Sequence, residues 1–153
     1  MIRLLYIEYE KYKAKLYNAQ QDFDSILSEQ EKLFSRTQPQ STDFSKEPTK
    51  GGVPSDKFYE YVKEKEEKQI DLRLAEARSI LNDRERLTEL KLKELLNSKN
   101  IYDKAYICKY IDGLKNYQTA NKLNYSEVQI YRILKIIKKN INMIENDRKF
   151  IVK

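Results

Sequence analysis

Between Ser126 and Lys139, cationic and polar residues are spaced so that several share one side of a helix. Successive residues of an α-helix turn by about 100°. With Ile130 facing inward, Val128, Arg132, Lys135 and Lys139 point the other way, flanked by Glu127, Gln129 and Tyr131. Such a face has the chemistry to recognise a duplex. Arg can give two hydrogen bonds to a guanine edge, and Gln can pair with adenine. Lys135, Lys138 and Lys139 suit phosphates, contacts that fix register and make binding depend on salt. Ser126 and the free N–H groups at the helix start can hold a phosphate oxygen. With Thr119 from the preceding helix, the candidate DNA-contacting residues are Thr119, Ser126, Glu127, Val128, Gln129, Tyr131, Arg132, Lys135, Lys138 and Lys139.

Three short helices over Ile101–Asn140 would position them. The first is expected at about Asp103–Ile111, with Ala105, Tyr106, Cys108 and Ile111 as its apolar residues. It stops at Asp112-Gly113, where glycine can adopt the left-handed conformation that ends a helix. The second spans about Asn116–Leu123, with Tyr117, Ala120 and Leu123 inward. Asn124-Tyr125 makes a tight turn. Ser126 caps the third helix, which runs to at least Lys139 with Ile130, Ile133, Leu134 and Ile137 on its apolar face. A small residue at Ala120 lets the third helix cross closely. Small residue, apolar Leu123, turn, cap and inward Ile130 together make the pattern of a helix-turn-helix, whose second helix enters the major groove.

The charge distribution agrees. From Ser98 to Lys153 there are 12 Lys and Arg against 5 Asp and Glu, a net of +7; from Met1 to Asn97 there are 18 against 19, a net of −1. The two sum to the chain's +6. The basic excess therefore lies wholly in the last third, where it points to a polyanionic partner.

Other chemistries lack their residues. Histidine is absent, which removes the commonest general base and metal ligand. A single cysteine, Cys108, forms neither an internal disulfide nor a thiolate zinc site, and reads as a small core residue. No Gly-rich phosphate loop or paired acid–base site stands out from the salt-bridging carboxylates, so no enzymatic activity, cofactor or metal is expected. No apolar run approaches the roughly 20 residues that span a bilayer, nor is there an export signal, so no membrane association is expected. Tyr106, Tyr110 and Tyr117 read as core rather than base-stacking residues.

The first two-thirds would carry this module. Apolar residues recur in a 4-3 rhythm at Leu5, Tyr9, Tyr12, Leu16, Ala19, Phe23 and Ile26, then Gln30 and Leu33, a heptad stripe predicting one long amphipathic helix. All three prolines and two of the three glycines lie between Ser35 and Asp56, so 35–54 reads as a linker. Ser55 or Asp56 would cap a second helix over Lys57–Asn97, about 60 Å long if unbroken. Its stripe includes Phe58, Val62, Ile70, Leu74, Ala77, Leu81 and Leu87 or Thr88, with an almost purely charged segment at Lys63–Lys68. The expected fold is all-α: a long antiparallel, coiled-coil-like helical hairpin over 1–97, followed by a basic helix-turn-helix bundle over 98–153. The same seams could instead pair two chains as a homodimer.

Lys109-Tyr110-Ile111-Asp112-Gly113, then Thr119-Ala120 with Leu123, then Ser126 through Ile130 to Arg132-Ile133 resemble the phage-encoded transcriptional activators of the ArpU and RinA type. Their C-terminal module is similar to region 4 of sigma-70 factors. The run Gly51-Gly52-Val53-Pro54-Ser55-Asp56 leading into a charged helix is also like that family. The resemblance covers the layout of the chain, and its motifs cover 109–139. It implies transcription regulation of phage or prophage late genes by sequence-specific binding to double-stranded promoter DNA. It also implies contact with host RNA polymerase and residence in the cytoplasm of a bacterial host cell. Two other readings share parts of this pattern: a small terminase subunit for DNA packaging, and a structural coiled-coil adaptor without a nucleic-acid role.

Overall fold

The computed structural model describes residues 3–37 and 57–151. Among them every regular element is helical: α1 (Leu5–Thr37), α2 (Lys57–Glu67), α3 (Ile70–Leu96), α4 (Ile101–Tyr106) with a wide π-turn (Ile107–Ile111), α5 (Asn116–Leu123) and α6 (Glu127–Ile151). The expected all-α class is therefore observed. Positions 38–54 of the expected linker, and the expected caps Ser55 and Asp56, lie outside the described residues, whereas Ser35–Thr37 continue α1.

The chain divides into two compact units, Met1–Asn18 with Asn82–Lys153, and Ala19–Leu81. The divisions fall at Asn18 and Leu81, not at Asn97, because the basic bundle takes core residues from both long helices. Its core comprises Tyr6, Leu95, Ala105, Tyr106, Ala120, Ile130, Leu134 and Ile137. Full burial of each large apolar side chain contributes about 1.5–3 kcal/mol. The stripe read from the sequence passed over Tyr6, which is completely buried. Its ring stacks on Tyr106 with centroids 5.4 Å apart, and its hydroxyl accepts a 2.7 Å hydrogen bond from Asn140 Nδ2. The Tyr106 hydroxyl donates to Glu10.

Asp103 joins these pieces. Its side chain is fully buried. Oδ1 accepts the Tyr6 N–H at 3.0 Å, one of the donors that the first turn of α1 leaves without an intrahelical partner. Oδ2 accepts the Ser98 hydroxyl at 2.6 Å, and Ser98 Oγ in turn accepts the Asn100 N–H at 3.2 Å. Asn100 caps α4 by accepting the Tyr102 N–H at 2.9 Å, so α4 starts two residues before the expected Asp103. The end of α3 runs in the opposite sense to the start of α1. Lys91 meets Glu8 at 3.2 Å, and the Thr88 hydroxyl approaches the Tyr12 carbonyl at 3.5 Å.

In the second unit Ala19, Leu33, Ile70, Ala77 and Leu81 are buried. Arg73 pairs with Glu29 at 3.1 Å, Arg78 lies over the Phe23 ring, and Phe34 meets Tyr61 edge-on at 5.9 Å. The helix expected to run unbroken over 57–97 is interrupted. Gln69 has φ +51°, which separates α2 from α3. A left-handed non-glycine residue costs about 1–2 kcal/mol. The charged segment before it holds no apolar side chain to bury, while Ile70 immediately after is completely buried. The ion pair of Lys65 with Asp71, at 3.0 Å, spans the break. Among the described residues no helix is long and apolar enough to cross a membrane.

Asp103→Ala leaves the Tyr6 N–H and Ser98 hydroxyl without acceptors and is expected to lower unfolding free energy by about 1–3 kcal/mol. Asp103→Asn keeps an acceptor for Tyr6 and should cost less, as urea titration would measure. Glu8 is held at about 2, below its ordinary 4.5, chiefly by its hydrogen bonds from Arg3 at 2.6 and 2.8 Å and with help from Lys91. The unfolded chain therefore binds that proton more tightly than the folded one. The stabilisation is complete above pH 4.5 and is lost as the pH falls towards 2. Glu8→Gln should flatten this part of the pH dependence of the urea midpoint.

Candidate nucleic-acid interface

The basic bundle builds its outer surface from α5, a tight turn and α6. The chain enters through the π-turn, in which the Asp112 N–H reaches back five residues to the Ile107 carbonyl at 2.9 Å. This wider turn alters the expected helical register and leaves Ile111 exposed instead of apolar-side inward. Gly113 then takes φ +70°, as expected of the residue that ends this helix. Leu114 N–H bonds the Cys108 carbonyl at 2.9 Å and closes the cap. Burial pushes the Cys108 thiol up, in keeping with its place in the core.

Both α5 and α6 begin with the same device. The Lys115 N–H donates to Gln118 Oε1 at 2.9 Å, and the Ser126 N–H donates to Gln129 Oε1 at 3.1 Å. At α6 the arrangement is reciprocal, because the Gln129 N–H donates to Ser126 Oγ at 3.3 Å, a capping box. Between the helices Asn124 adopts the left-handed conformation, φ 57°, and Tyr125 N–H returns to the Ala120 carbonyl at 3.0 Å. Asn tolerates this conformation better than most residues. Ala120 and Ile130 are both buried in the one core.

The predicted outward residues separate into two groups. Val128, Arg132, Lys135 and Lys139 are all exposed, as are Glu127, Tyr131 and Lys138, while Ile130, Leu134 and Ile137 on the opposite side are buried. Among the described residues none of the side chains of Arg132, Lys135, Lys138 or Lys139 makes a hydrogen bond or ion pair. Nearby cations are committed instead: Lys122 pairs with Asp112 at 3.1 Å, and Lys109 donates to Asn116 at 3.2 Å.

Two candidates are corrected. Thr119 is fully buried, and its hydroxyl donates back to the Lys115 carbonyl at 3.1 Å, so it is a core residue with no surface to offer DNA. Gln129 is exposed, but its Oε1 accepts both the N–H and the hydroxyl of Ser126, the latter at 3.0 Å. Two donors occupy that oxygen's two lone pairs. The acceptor that adenine's amino group would need is therefore taken. The same lock engages the Ser126 hydroxyl.

The expected inward place of Tyr117 is also corrected, because Tyr117 is 48% exposed and Thr119 takes the inward position beside Ala120. A threonine whose hydroxyl satisfies itself on the preceding turn packs like an apolar residue. Tyr110 is likewise exposed, whereas Tyr106 is buried as expected. Tyr125, in the turn, is a further exposed hydroxyl that the sequence reading did not single out.

No family model, no curated protein and no solved structure matches the chain. Among the described residues no cluster of His, Cys, Asp and Glu could hold a metal ion.

Ser126→Ala is expected to lower unfolding free energy by about 1 kcal/mol through loss of the cap. Val128→Ala, on the exposed side, should stay within about 0.5 kcal/mol of the parent. Chemical denaturation of the two variants side by side would check this contrast.

Proposed function

We propose that this protein is a DNA-binding regulator of transcription, in which α5, the Asn124–Ser126 turn and α6 act as a helix-turn-helix. The observation that carries the reading is the two-sided character of α6. Ile130, Leu134 and Ile137 are buried, while Arg132, Lys135, Lys138 and Lys139 stand exposed without protein partners among the described residues. A cationic ridge free of carboxylate partners keeps its full charge for phosphates, and the net +7 of 98–153 adds a wider attractive field.

In this mechanism the basic bundle captures duplex DNA electrostatically and α6 enters the major groove. Lys135, Lys138 and Lys139 hold phosphates, and Arg132 reads base edges. The opposed pairings of α1 with α3, seen in each compact unit, favour a long antiparallel helical hairpin as the carrier. That hairpin would serve homodimerisation or contact with host RNA polymerase. The resemblance of 109–139 to the ArpU and RinA type supports a role at phage or prophage late genes, in the cytoplasm of a bacterial host.

Fluorescence anisotropy of the full chain on duplex DNA at graded salt tests the proposal. Affinity should fall steeply as salt rises, with log affinity linear in log salt. Lys139→Ala should weaken binding about equally on all duplexes and reduce that slope by about 1. Arg132→Ala should cost about 1–3 kcal/mol on the preferred site and little elsewhere. Absence of binding to any duplex at low salt would reject the proposal in favour of a coiled-coil adaptor.

A further inference from the structure

We infer, resting on the reading that α6 enters a major groove, that Val128 and Arg132 form a two-residue reader of a thymine methyl and a guanine edge one or two base pairs apart. Val128 is 60% exposed, an apolar β-branched side chain on the helix face opposite buried Ile130. It contributes to no core cluster among the described residues. Its β-branched side chain also lowers helix propensity slightly. Arg132 sits four residues on, the same side one turn later, and is exposed with no side-chain hydrogen bond or ion pair among the described residues. Between them in sequence, Gln129 is locked to Ser126, Ile130 is buried and Tyr131 lies to one flank.

The distances suit neighbouring base pairs. Four residues advance a helix by about 6 Å, and base pairs are stacked about 3.4 Å apart. The first exposed turn of α6 therefore presents one apolar and one cationic group across one or two base steps. In the major groove thymine is the base that offers a methyl group, and guanine offers two acceptors, N7 and O6. Valine can recognise only the methyl, and a guanidinium matches the two acceptors. Lys135 and Lys139 continue the same face as flexible point charges that suit phosphates. Adenine recognition by Gln129 is not part of this reader, because its carbonyl oxygen already accepts two hydrogen bonds.

The test begins by selecting bound duplexes from a randomised pool with the full chain, then replacing single bases in the enriched site. The expected site holds a thymine and a guanine within two base pairs. Deoxyuridine in place of that thymine removes only the methyl. It should weaken the parent protein about fourfold, the factor one buried methyl group is worth, and weaken Val128→Ala less. Replacing the guanine by 7-deazaguanine removes N7 and should weaken the parent about tenfold while leaving Arg132→Ala unchanged. Enrichment of a site whose uracil substitution weakens the parent and Val128→Ala alike, or neither, would overturn the inference and leave DNA binding standing. A pool that enriches no sequence, with no salt-dependent binding, would overturn the DNA-binding reading itself.

Discussion

A buried carboxylate holds this structure's two distant stretches of sequence together. Asp103 is inaccessible to solvent, and its oxygens are satisfied by the Tyr6 N–H from the first turn of α1 and by the Ser98 hydroxyl. A buried charged group without such donors would be costly. Here the donors come from the start of the chain and from the connection between α3 and α4, so the carboxylate is tolerated only when both are in place. Once they are, Tyr6 is fixed over Tyr106, and its hydroxyl meets Asn140 on α6. The outward face of α6 therefore owes its orientation to residues far from it in sequence.

That face works by subtraction. The bundle satisfies its own polar groups locally, and among the described residues no buried side-chain nitrogen or oxygen lacks a partner. Capping glutamines serve the helix starts, Asp112 pairs Lys122, and Asn116 receives Lys109. What remains uncommitted on the outward face of α6 includes a run of cations and an exposed valine, with Tyr131 exposed beside them. Groups left without internal duties are those free to meet another molecule.

Much of this bundle was legible in the sequence. Gly113 and Asn124 mark the two left-handed positions, and the α5 span and Ser126 cap match residue patterns governed by short-range rules. The 100° stepping from Ile130 correctly divided buried from exposed positions on α6, because a single helix on a core has one inward side. Three features were hidden. Thr119 takes the inward position because its hydroxyl bonds within its own helix, which residue type alone does not reveal. The π-turn moved Ile111 outward by a change of backbone period. Tyr6 and Asp103 meet across 97 positions, and no local periodicity encodes such a contact. The break at Gln69 is of the same kind: it is resolved by where Ile70 can be buried, and the charged run before it carries no turn residue to announce it.

The Asn140–Tyr6 hydrogen bond spans 134 positions, and the second compact unit is inserted wholly between the two parts of the first. Closing so large a loop costs conformational entropy that grows only slowly with length, but contacts of this separation form late and slow the search for the native state. On a ribosome, Tyr6 emerges long before any residue of α6 exists to cover it. Helix α6 and the aromatic residue that seats it can meet only when synthesis has passed Asn140, so the residues of the inserted unit are complete before the bundle can close.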